Sequence, residues 1–162
     1  MATPKLNPSR SISVIPSDYC NIPNPALYII DVQVLDSGIN YIQIDTSINI
    51  IELGVSAGSI LYDYTNGIGV TVTSIVVGGL GYVVNHNGDV QIPIGNIVKI
   101  YNGQDDSTGC VLYVGQSGAV SVITEGGDDV VFGGVPGGTF FPVQVLKVKS
   151  DYTAASEILA LR

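Results

Sequence analysis

Apolar and polar residues alternate with a period of two over much of this chain. In 27–35, Tyr28, Ile30, Val32 and Val34 fall on one side while Asp31 and Gln33 fall on the other, as a strand with one buried face requires. Similar segments rich in Val, Ile, Thr and Tyr are broken by Gly, Asn and Asp about every eight to twelve residues, the spacing of sandwiches and barrels. The pattern predicts strands over 11–15, 27–35, 39–44, 59–65, 68–77, 81–86, 89–92, 96–101, 110–114, 119–124, 130–132, 140–149 and 158–161. No long helix is expected, and 152–157 reads as a loop.

The turns carry their own chemistry. Asn66-Gly67 and Asn87-Gly88 each predict a hairpin, because Asn and Gly tolerate the positive φ angles of a type I′ turn. Within 68–77, Val70, Val72 and Ser74 should face away from Thr71, Thr73 and Ile75. Pro93 has no amide proton, so it ends a ladder or sits at an edge. Val77-Gly78-Gly79-Leu80-Gly81-Tyr82 reads as a tight bend or bulge between strands, since no helix follows that could hold a phosphate. In 110–161 the loops are short, which predicts a meander of antiparallel neighbours.

The fold class expected is all-β, an antiparallel β-sandwich or barrel of jelly-roll-like form. One polar, glycine-containing stretch without apolar periodicity, 102–109, marks where the chain changes sheet or subdomain. The expected organisation is an extended N-terminal arm over 1–17, carrying Pro4, Pro8 and Pro16, followed by a single β domain over 18–162 with two sub-sheets. A length of 162 residues is enough to bury a core without disulfide staples.

Charge changes the picture. Only 12% of residues are Asp, Glu, Lys or Arg, against about 25% in an average soluble chain, and the mean hydropathy is +0.40. Uncharged strands of this kind expose apolar patches and open edges unless a partner covers them, which points to an oligomer or a lattice. A monomer solubilised by Ser, Thr, Asn and Gln is the bland alternative. The charge present is acidic, 14 Asp and Glu against 6 Lys and Arg, a formal net charge of −8 that repels phosphate backbones. Nucleic acid is therefore not an expected partner. Nor is a membrane, because no run approaches the roughly 20 apolar residues of a spanning helix. The first residues lack the apolar centre of a signal peptide, so folding is expected in the cytoplasm.

Candidate chemistry is sparse. The one histidine, His86, flanks Asn87-Gly88 and reads as a solvated turn residue rather than a catalytic base. Cys20 and Cys110 are expected as free thiols acting as small hydrophobes, with no zinc-ligand spacing. Asp105-Asp106 and Asp128-Asp129, with Glu125, offer oxygen ligands for calcium, but capping of turn amides explains them more simply. As a glycosidase pair they fail, since adjacent strand residues point to opposite faces. No catalytic residue, metal or cofactor is expected, and the chain is not read as an enzyme.

Four stretches in order carry a resemblance. They are Val14-Ile15-Pro16-Ser17-Asp18 with Asn21-Ile22-Pro23-Asn24-Pro25; Gly54-Val55-Ser56-Ala57-Gly58-Ser59-Ile60-Leu61-Tyr62 with Thr65-Asn66-Gly67; Gly109-Cys110-Val111-Leu112-Tyr113-Val114-Gly115; and Gly137-Gly138-Thr139-Phe140-Phe141-Pro142-Val143-Gln144-Val145. With the final Ile158-Leu159-Ala160-Leu161, they resemble the small all-β virion structural proteins of tailed bacteriophages. The apolar, glycine-rich 76–84 departs from that pattern and reads as this chain's own contact surface.

The resemblance implies a non-catalytic particle component made in the host cytoplasm. Its leading form is a capsid decoration or cement protein that stabilises the phage head, binds the major capsid protein and forms a homo-oligomer, a trimer by expectation. A tail, collar or fibre- or spike-attachment component is the alternative. From a different class, a carbohydrate-binding module would stack sugars on Tyr62, Tyr64 or Tyr82. The interface residues expected are Pro4, Leu6, Pro8, Ile12 and Val14 in the arm, and Val76, Val77, Leu80 and Tyr82 in the apolar segment.

Overall fold

The computed structural model describes residues 8–45, 47–103 and 108–162. Its strands are β1 (Ser11–Ser13), β2 (Tyr28–Gln33), β3 (Asp36–Gly38), β4 (Tyr41–Ile44), β5 (Ile60–Asp63), β6 (Ile68–Gly78), β7 (Gly81–His86), β8 (Ile97–Tyr101), β9 (Cys110–Gln116), β10 (Gly118–Thr124), β11 (Asp129–Val135), β12 (Thr139–Val148) and β13 (Ser156–Leu161). The one helical element among the described residues is a 3-10 turn, Pro25–Leu27, in which the Ala26 amide donates to the Asn24 side chain. The fold is an all-β sandwich of two antiparallel sheets.

One sheet has six strands in the order β1-β13-β9-β12-β10-β11, and the other seven in the order β2-β8-β5-β6-β7-β4-β3. Strands β2 to β8 thus lie in one sheet and β9 to β13 in the other, and the chain crosses between them after Tyr101. The two edge strands of the seven-stranded sheet, β2 and β3, are separated in sequence by Val34 and Leu35 alone. The sheet must therefore curl until its edges approach, and the linker is tied to both sides: the Val34 amide bonds the Asn96 carbonyl before β8 at 3.0 Å, and the Leu35 amide extends the β3–β4 ladder to the Gln43 carbonyl at 2.8 Å. The sheet encloses a core of Val34, Ile42, Ile44, Leu61, Val70, Val72, Val84, Val98 and Ile100.

Strand β5 joins this core to a second one. All four of its residues are buried: Leu61 lies in the barrel core, while Ile60 and Tyr62 lie in the cluster formed with the six-stranded sheet. That second cluster includes Leu112 and Val114 of β9, Val120 and Val122 of β10, Val145 and Val148 of β12 and Ala160 of β13. Burying one such Val, Leu or Ile stabilises the fold by about 1.5–3 kcal/mol. The ion pair Lys99–Asp31, 3.1 Å apart with both side chains about 40% exposed, is worth about 0–1 kcal/mol at most. Apolar burial holds this fold together.

Several local expectations are corrected. The predicted strand 39–44 is a hairpin, β3–β4, with Ile39 and Asn40 in its turn. Asn66-Gly67 does turn β5 into β6, but as the end of a four-residue loop closed by the Asp63–Ile68 pair, and Gly67 takes a positive φ while Asn66 does not. Asn87-Gly88 makes no hairpin, and 89–92 is not a strand. Instead the Asn87 side chain accepts from the Thr71 amide at 2.9 Å and donates to the Tyr19 carbonyl at 2.7 Å, tying three segments together. A bulge between Val72 and Ser74 shifts the alternation in β6, so that Ile75 rather than Ser74 packs toward the barrel core.

The meander expected over 110–161 is also corrected. Strands β9 and β10 are separated by Ser117 alone, yet they flank β12 on opposite sides instead of pairing. Only β10 and β11 pair as consecutive strands there. The six-stranded sheet folds over its own inner face, and this curl brings the end of β9 beside the start of β10.

The N-terminal segment is largely part of the domain. Residues 1–7 of the expected arm lie outside the described residues. From there on, β1 pairs with β13, the Ser9 and Arg10 amides bond the Arg162 carbonyl, and Ile12 and Ile15 enter the inter-sheet core. Ser17 donates from Oγ to the Gly69 carbonyl at 2.6 Å, so residues 9–17 are fastened to both sheets.

Candidate interaction surface

The nine expected interface residues do not form one surface. Pro4 and Leu6 lie outside the described residues. Pro8 is exposed, whereas Ile12 is buried and Val14 half-buried against the inter-sheet core, so these two serve the fold. Tyr82 is likewise buried, with its hydroxyl bonded to Asn49 Oδ1 at 3.1 Å. Alternation along β7 explains this, because Tyr82, Val84 and His86 share the barrel-facing side.

Val76, Val77 and Leu80 remain, and they sit together on the β6–β7 hairpin, 54%, 63% and 85% exposed. The hairpin turns through Gly79 and Leu80, between the paired Gly78 and Gly81. Gly81 is required twice over. Its φ is +143°, and a Cβ there would stand 2.1 Å from the Ile44 carbonyl oxygen of β4. The Gln43 side chain also donates to the Leu80 carbonyl at 3.0 Å, which anchors the base of the tip on one side.

On its other side the hairpin has no strand beside it among the described residues. Strand β5 pairs with β6 only over residues 68–71, and the Val72 amide and carbonyl bond Ser59 and Gly58. From 73 to 78 no other strand among the described residues lies beside β6. That stretch reads Thr-Ser-Ile-Val-Val-Gly, and from Tyr64 to Gly88 there is no Asp, Glu, Lys or Arg.

The loop after β4 brings Ile48, Ile51 and Leu53, each nearly half exposed, to the same end of the barrel. Sequence reasoning did not single them out, although Ile-Asn-Ile-Ile-Glu-Leu without alternation is the available signal. Between this loop and β2 lies a cleft of about 210 Å³ lined by Val32, Leu35, Ile44 and Ile48 with Asp31 and Asp45. It is the incompletely closed seam of the barrel.

The groups weighed for chemistry are placed elsewhere. His86 is buried at 3% exposure, not solvated, and burial lowers its pKa, an effect the Gly88 backbone only partly offsets. Cys20 and Cys110 are free and buried, and burial pushes the Cys20 thiol up to about 12, against the weaker influence of Ser17 and Lys147. Asp128 accepts from Thr124 Oγ1, and Asp129 pairs with Lys149 at 2.9 Å, so both acidic residues have protein partners. Among the described residues no three His, Cys, Asp or Glu side chains are grouped as for a metal ion, and Asp105-Asp106 lies outside them. The sugar platform also lacks its surface: Tyr62 is buried against Tyr64 and Tyr101, Tyr82 is buried, and Tyr64 alone of the three is exposed.

Comparison with models of known families, with curated proteins and with solved structures gives no match.

Proposed function

We propose that this protein is a non-enzymatic structural subunit of a tailed-phage particle, made in the host cytoplasm and seated on the head as a decoration or cement protein. The observation that carries the reading is the uncharged, outward-facing β6–β7 hairpin, held out from a rigid body with two apolar cores. Apolar surface of that kind is retained where a partner covers it. The order of the four glycine-turn segments, which resembles small virion proteins, supports the same reading.

The mechanism is mass action. A subunit that binds the assembled lattice of major capsid protein and not its dissociated parts stabilises the assembled state by its binding free energy. An arm that straps a neighbour has to leave β1 in place, since a deletion reaching residue 17 would strip β1 and the Ile12 and Ile15 contacts from the core.

Gold-labelled antibody on intact particles tests the reading. Label spread over heads is the expected result. Label confined to tails or vertices would move the protein to a collar or fibre-attachment role, and unlabelled particles would remove it from the virion altogether.

A further inference from the structure

We infer that two copies of this chain pair antiparallel through the free edge of β6, residues 73–78, and so join their seven-stranded sheets across a two-fold axis. An open strand edge presents unpaired N–H and C=O groups that another strand can satisfy. Three features of the molecule select this edge and a second copy as its occupant.

The other edges are defended. Strand β11 is long, but it begins at Asp129, which pairs with Lys149, and it is distorted by the register shift opposite Gly118–Val120 and by Gly134 at a φ of +66°. Strand β1 has three residues and follows Arg10. Strands β2 and β3 approach each other at the barrel seam. The outer half of β6 carries no charge and no proline, and besides β7 no strand among the described residues lies beside it.

Side-chain direction favours lateral pairing over docking of a flat partner. Val76 and Val77 point to opposite faces of the ribbon, yet each is more than half exposed. A partner lying on one face would leave the other wet, whereas a strand added at the edge shields the flanks of both.

Charge selects the occupant. Two chains of net charge −8 repel each other over most of their surfaces, but not where Asp, Glu, Lys and Arg are missing from 64 to 88. A strongly charged partner would find no countercharge there. An antiparallel edge is also complementary to itself, so one patch serves both subunits. In the register centred on Val76, that residue lies opposite its own copy at the two-fold axis, Ile75 lies opposite Val77 and Ser74 opposite Gly78. This pairing is two-fold rather than three-fold, and it does not depend on where the protein is assembled.

Sedimentation equilibrium of the full chain tests the inference, with Val76→Lys as the probe variant and circular dichroism as the check on folding. The wild type should behave as a closed dimer. Val76→Lys, which brings two lysines together at the axis, should weaken dimerisation by at least about tenfold with the fold retained. Hydrogen exchange should show the amides of 73–78 more protected in the wild-type dimer than in the variant. A monomeric wild type, a trimer or open polymer, or a dimer indifferent to Val76→Lys but lost on Val131→Lys at the β11 edge would each overturn it.

Discussion

The two ends of β6 are built on opposite principles. Where β6 begins, the loop from β5 is secured by polar groups. The buried Asp63 carboxylate accepts from the amides of Thr65 and Asn66 at 2.9 and 3.4 Å and from Asn96 Nδ2 at 2.7 Å, and the same Asn96 amide donates to Asn66 Oδ1 at 2.7 Å. Where β6 ends, the hairpin has two glycines flanking Gly79 and Leu80, apolar side chains in water and an edge with no strand beside it among the described residues. One turn is stabilised from within, so changes there should cost stability; the other is left open, so changes there should alter association.

The largest effect expected is at the secured end. Asp63→Ala removes three hydrogen bonds to a charged group and leaves two loop amides without their acceptor, which should cost about 3 kcal/mol. Urea unfolding should show a lower midpoint with an unchanged slope, and dimerisation of the folded fraction should be unaltered. A loss within about 0.5 kcal/mol would mean that the loop does not depend on this carboxylate.

Next comes Asn87, which holds Thr71 of β6 against Tyr19. Asn87→Ala should cost about 1–2 kcal/mol in the same measurement, through two side-chain hydrogen bonds to backbone groups. If it costs as little as a surface substitution, residues 19 and 71 are held together by the Thr71 hydroxyl bond to Tyr19 alone.

His86, on β7 opposite Val72, gives the comparison a pH dependence. Its folded pKa is lowered from the ordinary 6.5 by burial, so the unfolded chain binds more protons than the folded one below that value. The contribution is intact above about pH 6.5 and is lost as pH falls through the lowered folded value, with a slope of at most about 1.4 kcal/mol per pH unit for one proton. His86→Val should flatten that part of a stability–pH curve; an unchanged curve would assign the acid sensitivity to the carboxylates.

The smallest effect on stability belongs to the hairpin end. Leu80→Ser should change unfolding free energy by less than about 0.5 kcal/mol, because the side chain is 85% exposed, while lowering self-association in sedimentation. A large stability loss would mean that Leu80 packs within its own chain, and the contrast between the two ends would fail.

Much of the fold was legible because each strand carries its own alternation. The strands at 28–33, 60–63, 97–101 and 110–116 follow from local pattern, and the turn at 78–81 from its glycines. Val76, Val77 and Leu80 stand exposed, as an apolar run that breaks the alternation at a glycine turn suggests. Tyr82 and Ile12 were misplaced for the opposite reason: each lies on the inward side of its own strand, so extending the same period by a few residues would have buried both. His86 follows Tyr82 and Val84 at the same spacing, and its neighbour Asn87-Gly88 drew it wrongly to a turn.

What the sequence determined by itself is the class of the fold, most of the strands, the turn at Gly78–Gly81 and the absence of charge from 64 to 88, because each depends on residues close together in the chain. Only the tertiary structure decided which strands are neighbours. Two strands joined by a single residue, β9 and β10, are parted by β12, and one stretch, β2 to β3, supplies both edges of a sheet, because the curl that covers each core is set by distant packing rather than by loop length. The identical dipeptides Asn66-Gly67 and Asn87-Gly88 diverge for the same reason: Asp63 and Asn96 stand beside the first, Thr71 and Tyr19 beside the second, and long-range hydrogen bonds select the conformation each one takes.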